Sequence, residues 1–128
     1  LMDFLSKARE QNIKMAIGTA ASPFNVNYVL DHIPVKEYFD AIITADDVPV
    51  SKPNPDVFLK CADVLEVSYG QCIVFEDSPK GVEAAQNAGM KAVVIKTYHN
   101  EEEFNHLSNI LLFVDDYTDD KLSVFFAE

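Results

Sequence analysis

Three short stretches of this chain carry side chains suited to handling an oxyanion. Thr19 directly follows the apolar run that ends at Ile17-Gly18. Lys52 lies in Ser51-Lys52-Pro53-Asn54-Pro55, and the acid pair Glu76-Asp77 directly follows Ile73-Val74-Phe75. A threonine hydroxyl donates to a phosphate oxygen. A lysine is a compact positive charge that neutralises phosphate or carboxylate. Two carboxylates at the rim of a core repel each other unless a cation sits between or beside them. A hard divalent ion with oxygen ligands, most simply Mg²⁺, relieves that repulsion. Taken alone each residue has a plainer reading. Thr19 suits a turn, Lys52 an exposed loop, and the acid pair one helix cap with one solvated neighbour.

The elements that must position these groups are legible as an alternation. Apolar runs of strand length recur at Met15–Gly18, Ala41–Ala45, Cys72–Phe75, Ala92–Ile95 and Leu111–Val114. Short continuous runs of this kind suit strands covered on both faces, as in a parallel sheet. Between them, Val57, Phe58, Cys61, Ala62 and Leu65 repeat at helical spacing, as do Val26, Val29, Leu30 and Ile33, and Val82, Ala85 and Ala88. Met2, Leu5 and Ala8 predict a first helix, and Asp119–Phe126 a short last one. Ser22-Pro23, Asn54-Pro55 and Ser78-Pro79 each place a capping side chain before a proline suited to the first helical turn. Gly89 fits the end of the helix that Ser78 begins. The expected fold class is α/β, a Rossmann-like parallel sheet with helices on both faces and right-handed crossovers. In such a sheet, ligands bind where strands end and helices begin, and helix starts favour anions. All three candidate stretches fall at that edge.

Composition narrows the function. The net charge of −11 argues against a nucleic-acid partner, which requires clustered Lys and Arg. At 48% hydrophobic residues the 128-residue chain can bury one core, so a single domain over 1–128 is expected. No apolar run approaches the roughly 18 residues of a membrane span, and no signal-peptide pattern opens the sequence. Cys61 and Cys72 are too few and too scattered for a disulfide framework, and read as two buried free thiols in a reducing cytoplasm.

In the order Thr19, Lys52, Glu76-Asp77, and with the stretches SKPNPDVF and VFEDSPKGVEAAQNAGM, the sequence resembles the haloacid-dehalogenase-like superfamily, in the subgroup of β-phosphoglucomutases and small-metabolite phosphatases. The resemblance runs from about residue 2 to about residue 118 and covers the second, third and fourth motifs of that family. It implies Mg²⁺-dependent phosphoryl transfer on a small phosphorylated metabolite. Thr19, helped by the backbone N–H of Ala20, would bind the transferring phosphate. Lys52 would balance charge on phosphate and nucleophile, and Glu76 and Asp77 would hold Mg²⁺. Such chemistry needs mainly positioning and charge neutralisation.

The family's first motif, a strand ending Asp-x-Asp that supplies the nucleophile, does not occur here, nor does the cap domain that selects substrate. The expectation is the C-terminal part of a longer enzyme, inactive alone. The absent strand would lie at the sheet centre, between the strand before Thr19 and the strand before Glu76. A missing N-terminal segment, another segment, or a strand-exchanged second copy would fill the slot. Asp115-Asp116-Tyr117-Thr118 imitates the absent motif, but Tyr117 stands where the second Asp belongs. His32, His99 and His106 lack partners at metal-ligand spacing. Asp46 and Asp47 either orient Lys52 or sit in solvent, the second being favoured; Glu101-Glu102-Glu103 is assigned to an exposed helix start, and Phe104, Phe113, Phe125 and Phe126 to packing. The alternative to an enzyme is a non-catalytic anion-binding or interaction module on the same fold. A receiver-type signalling domain uses similar groups in the reverse order and is set aside.

Overall fold

A computed structural model describes residues 1–126, so the last two positions of the expected 1–128 domain lie outside the described residues. Among the described residues, four α-helices, α1 (Met2–Glu10), α2 (Pro23–His32), α3 (Asp56–Leu65) and α4 (Pro79–Asn87), alternate with five strands. The strands are β1 (Ala16–Gly18), β2 (Ala41–Ile43), β3 (Ile73–Glu76), β4 (Lys91–Ile95) and β5 (Ile110–Val114). Every strand pairing is parallel. The strands form two sheets, β1-β2 and β3-β4-β5. Ala16 pairs with Ala41 and Gly18 with Ile43 in the first, and Glu76 pairs with Val94 in the second. Thus β1 has β2 as its partner and β3 has β4, and each is an edge strand at the boundary where the expected central strand would fall.

The pleat divides the core into two faces. Ala92 and Val94 of β4 point to a cluster with Val57, Phe58, Cys61 and Ala62 of α3 and Val82, Ala84 and Ala85 of α4. Their strand neighbours Val93 and Ile95 point to the opposite cluster with Val114 and Leu122. Leu5 of α1 and Val26 and Leu30 of α2 pack with Val35 against the same opposite side of β1 and β2, where Ile17 and Ile42 lie. Helices therefore cover both faces, as strands this uniformly apolar require. Phe4 of α1 joins the two clusters on that side. Its ring meets Phe75 edge-on at 5.1 Å and Tyr117 at 5.5 Å, so an aromatic side chain bridges the two sheets where no backbone pairing does. Alanines on α4 explain its close approach, since Ala84 and Ala85 are fully buried against β3 and β4.

Local signals set most boundaries. Ser22 accepts from the N–H of Asn25, and Ser78 from that of Gly81, each with proline in the first turn. Gly89 takes φ +76°, a conformation that costs glycine little. The third expected cap differs. α3 starts at Asp56 with Pro55 at the capping position and no side-chain cap, one residue later than the Asn54 cap requires, and the N–H of Asn54 donates to the carbonyl of Ser51. Ala45 leaves the second strand for a 3-10 turn over Ala45–Asp47, in which Thr44 and Asp47 cap each other. The last segment is a 3-10 helix over Asp120–Phe125, begun by the Asp119 carboxylate. On α2 the stripe is narrower than the periodicity suggests. Val26 and Leu30 are buried, while Val29 and Ile33 are exposed. Both cysteines are free, but Cys72 is half-buried where Cys61 is buried. Burial pushes the Cys61 thiol up to about 11, although the Lys52 charge opposes this. That thiol is packing material: it donates to the carbonyl of Ile17 and lies 3.0 Å from where a Cβ on Gly18 would sit. Phe104 is buried, and Phe113, Phe125 and Phe126 are partly buried. No described helix is long and apolar enough to cross a membrane.

Candidate active site

Three chain segments converge at the C-terminal ends of β1 and β3. After β1 the backbone of Thr19 continues the sheet, donating its N–H to the carbonyl of Ile43 at 3.0 Å. The Thr19 hydroxyl oxygen accepts from the N–H of Ala21 at 3.1 Å. That bond uses a lone pair and leaves the hydroxyl proton free to donate outward. Ala20 is exposed, and among the described residues no partner takes up its N–H.

Lys52 reaches the same place from the segment between β2 and α3. Its peptide bond to Pro53 is cis. The ammonium lies 2.7 Å from Glu76 Oε2 and 3.4 Å from the carbonyl oxygen of Gly18, and 4.8 Å from the centre of the Phe58 ring. One cation thus spans the ends of β1 and β3, the edge strands of two different sheets. The pair is well shielded, with side-chain exposures of 16% for Lys52 and 12% for Glu76. Its attraction is therefore less screened than that of a surface pair.

Thr19, Ala20 and Lys52 line one cleft of about 180 Å³ together with Ala45, Val48, Pro49, Ser51 and Val57. It is smaller than the ~300–1,000 Å³ typical of small-molecule pockets, and suits the anionic end of a ligand. A larger cleft of about 540 Å³ lies between the 101–107 segment and β5, and none of the sequence-predicted site residues lines it.

The two acids have different surroundings. Both Glu76 oxygens are engaged: Oε2 by Lys52, and Oε1 by the N–H of Asp77 at 3.2 Å and the Ser78 hydroxyl at 3.4 Å. Asp77 is exposed, and its Oδ2 accepts from the Thr97 hydroxyl at 3.4 Å. Asp77 is the open carboxylate of the pair. Among the described residues no three His, Cys, Asp or Glu side chains cluster as a ready metal cage. Magnesium does not require one, because it is held by one or two carboxylates with water and ligand phosphate. The donor set fits that ion, with Asp77 as its available protein ligand.

Three further contributors carry no signal in the sequence pattern. Gly81 leaves the space that the Glu76 side chain occupies, since a Cβ there would come within 2.0 Å of Glu76 Cδ. Asn87, at the end of α4, donates to the carbonyl of Pro53 at 3.0 Å. Phe58 offers its ring to Lys52. The VFEDSPKGVEAAQN stretch holds the first two, but nothing in its local pattern tells which distant groups they meet. Tyr117 is no stand-in for a catalytic acid. It stacks on Phe75, and burial and the nearby charges of Glu76 and Asp77 hold its phenol above the ordinary range. Asp116 caps Thr118. His99 bonds Glu103, and His32 bonds the carbonyl of Tyr28. Asp46 and Asp47 are exposed, and Asp47 bonds Thr44, not Lys52.

The family model for haloacid dehalogenase-like hydrolases matches residues 1–95. The chain belongs to the haloacid dehalogenase-like hydrolase family. Similar curated proteins include a fructose-1-phosphate phosphatase of Escherichia coli, 44% identical over 82 residues, which span 64% of this chain and 44% of that protein. A β-phosphoglucomutase of Bacillus subtilis is 37% identical over 89 residues, spanning 70% of this chain and 38% of that protein. The chain therefore matches less than half the length of these relatives. Among solved structures, a haloacid dehalogenase hydrolase of family IA from Entamoeba histolytica superposes with a TM-score of 0.86 at 27% identity, over 98% of this chain and 58% of that one. A β-phosphoglucomutase from Clostridium difficile gives 0.81 at 30% identity, over 97% of this chain and 52% of that one. In this chain, as in α/β folds of that class generally, the polar groups gather at the C-terminal strand ends.

Proposed function

We propose that this chain carries the phosphate-binding and charge-balancing part of a Mg²⁺-dependent phosphoryl-transfer site for a small phosphorylated metabolite. The observation that carries this reading is Lys52. Its ammonium meets the end of β1 and the acid that ends β3, and the residue lines the cleft that Thr19 and Ala20 also line. A phosphate in that cleft accepts the free proton of the Thr19 hydroxyl and the N–H of Ala20. Lys52 lies beside it, held by Glu76 so that the cation is aimed before the ligand arrives. Such prearranged donors stabilise charge on a transferring phosphoryl group without rearrangement at the moment of reaction. Asp77 offers its carboxylate to Mg²⁺, which would add further neutralisation of the phosphoryl oxygens when bound.

The attacking carboxylate is assigned to protein outside these 128 residues, on a strand that pairs with the open edges of β1 and β3. A preceding segment of a longer chain is favoured, and a second copy is the alternative. Two free thiols and a net charge of −11 fit an aqueous reducing compartment, the cytoplasm. Phosphatase and β-phosphoglucomutase relatives both support a phosphorylated metabolite as substrate class.

Calorimetric titration with inorganic phosphate tests the reading. Binding is expected in Mg²⁺, and Thr19→Val is expected to weaken it by about tenfold or more, the value of one charge-assisted hydrogen bond. Omitting Mg²⁺ is expected to weaken it also. Phosphate release from a generic ester by the 128 residues alone is expected to be negligible. Absence of phosphate binding, or affinity indifferent to Thr19, would overturn the proposal.

A further inference from the structure

The segment that delivers Lys52 is poorly equipped to hold its own shape by main-chain bonding. Pro49, Pro53 and Pro55 supply no N–H. The bond from the N–H of Asn54 to the carbonyl of Ser51 at 3.1 Å is internal to the segment. Among the described residues, the tie from another element to the main chain of 49–54 is the Asn87 amide, which donates to the Pro53 carbonyl at 3.0 Å. That carbonyl belongs to the residue next to Lys52. Asn87 ends the helix whose first turn receives Glu76, where Ser78 bonds both Glu76 and the N–H of Gly81. The two ends of α4 therefore hold the two partners of the ion pair, Glu76 directly and Lys52 through its neighbour.

We propose that Asn87 is a positioning residue for Lys52: by gripping the Pro53 carbonyl it fixes the root of the lysine side chain, so that the ammonium meets Glu76 and faces the anion cleft. Asn87 touches neither the cleft nor Lys52 itself, and it is exposed. Replacing it therefore removes the tie without opening the core. Asn87→Leu keeps a similar size, removes the donor and favours the helix slightly. The expectation for phosphate rests on the function proposed above. The expectation for the ion pair does not.

Two readouts keep them apart. Hydrogen exchange of the ¹⁵N-labelled Lys52 ammonium, followed by NMR in the ligand-free chain, reports the ion pair directly. It is expected to quicken about three- to tenfold in Asn87→Leu, the equivalent of one hydrogen bond. Titration with inorganic phosphate in Mg²⁺ is expected to show an affinity lower by a similar factor, with an unchanged thermal midpoint. Faster exchange with no phosphate binding even in the unmodified chain would sink the functional reading and leave the positioning role standing. Unchanged exchange in Asn87→Leu would overturn the proposal. So would a midpoint that falls in step with the exchange rate, since Asn87 would then be a general stabiliser.

Discussion

Lys52→Met is expected to abolish phosphate binding and to destabilise the fold by about 3 kcal/mol, within the range for breaking a shielded ion pair from one side. The cost arises from what remains. Glu76, at 12% side-chain exposure, keeps two bonds to Oε1 but loses the cation 2.7 Å from Oε2. A carboxylate held at a strand end without its cation bears a desolvation penalty that those two bonds offset only in part. The double replacement Lys52→Met with Glu76→Gln removes both charges, and is expected to recover most of the stability and none of the phosphate binding. Urea denaturation of the two single variants and the double variant gives the coupling energy. Additive losses would mean that the pair contributes nothing. Phosphate binding that survives in either Lys52 variant would mean that the ammonium does not face the ligand.

Gly81→Ala is the second large effect, and its direction runs against helix propensity. Gly81 is buried in the first turn of α4, where alanine would ordinarily gain up to ~1 kcal/mol. Here the added Cβ would lie 2.0 Å from Glu76 Cδ and 2.1 Å from Cγ. No rotation of a methyl relieves contacts that short, so the Glu76 side chain must leave. Its departure frees Lys52 and the Ser78 hydroxyl together. A net loss of about 1–3 kcal/mol is expected, combining overpacking with the broken pair, along with weaker phosphate binding. Gly70→Ala is the control. Nothing lies within 4 Å of its Cβ position, and a change within about ±0.5 kcal/mol is expected there. Thermal melts of the two variants decide it. A Gly81→Ala protein as stable as Gly70→Ala would show that the glycine serves the helix turn and not the acid.

Much of this arrangement is local chemistry and was legible as such. The strands are apolar runs a few residues long, and all five lie within two residues of their sequence bounds. Two of three Ser/Asn-Pro starts cap their helices, because a serine side chain can reach the N–H three residues on. Asn54 does not cap, because the helix starts one residue later, with Pro55 at the capping position. The convergence of Thr19, Ala20 and Lys52 on one cleft follows from parallel topology, which puts every strand end on one edge. What could not be read was which distant group each side chain would satisfy. An acid pair after a strand looks like two equivalent ligands. Only the folded chain shows that Glu76 is committed to Lys52, 24 residues away in sequence, while Asp77 stays open. Gly81 and Asn87 carry no signal of their own in the sequence, because their partners, Glu76 and Pro53, are defined by packing of α4 and not by spacing. Phe4 bridging to Phe75 and Tyr117 is of the same kind.

The proposed site gathers Thr19 and Lys52 around one anion, with Glu76 holding the lysine from a separate strand end. The most direct test is a crystal structure of the chain grown with Mg²⁺ and tungstate, whose metal atom marks the phosphate position by anomalous scattering. The expected result is a peak in the cleft, with tungstate oxygens in hydrogen-bonding reach of Thr19 Oγ1 and Lys52 Nζ and the Lys52–Glu76 pair intact. Tungstate bound elsewhere while that cleft stays empty, or Lys52 turned away from Glu76, would contradict it.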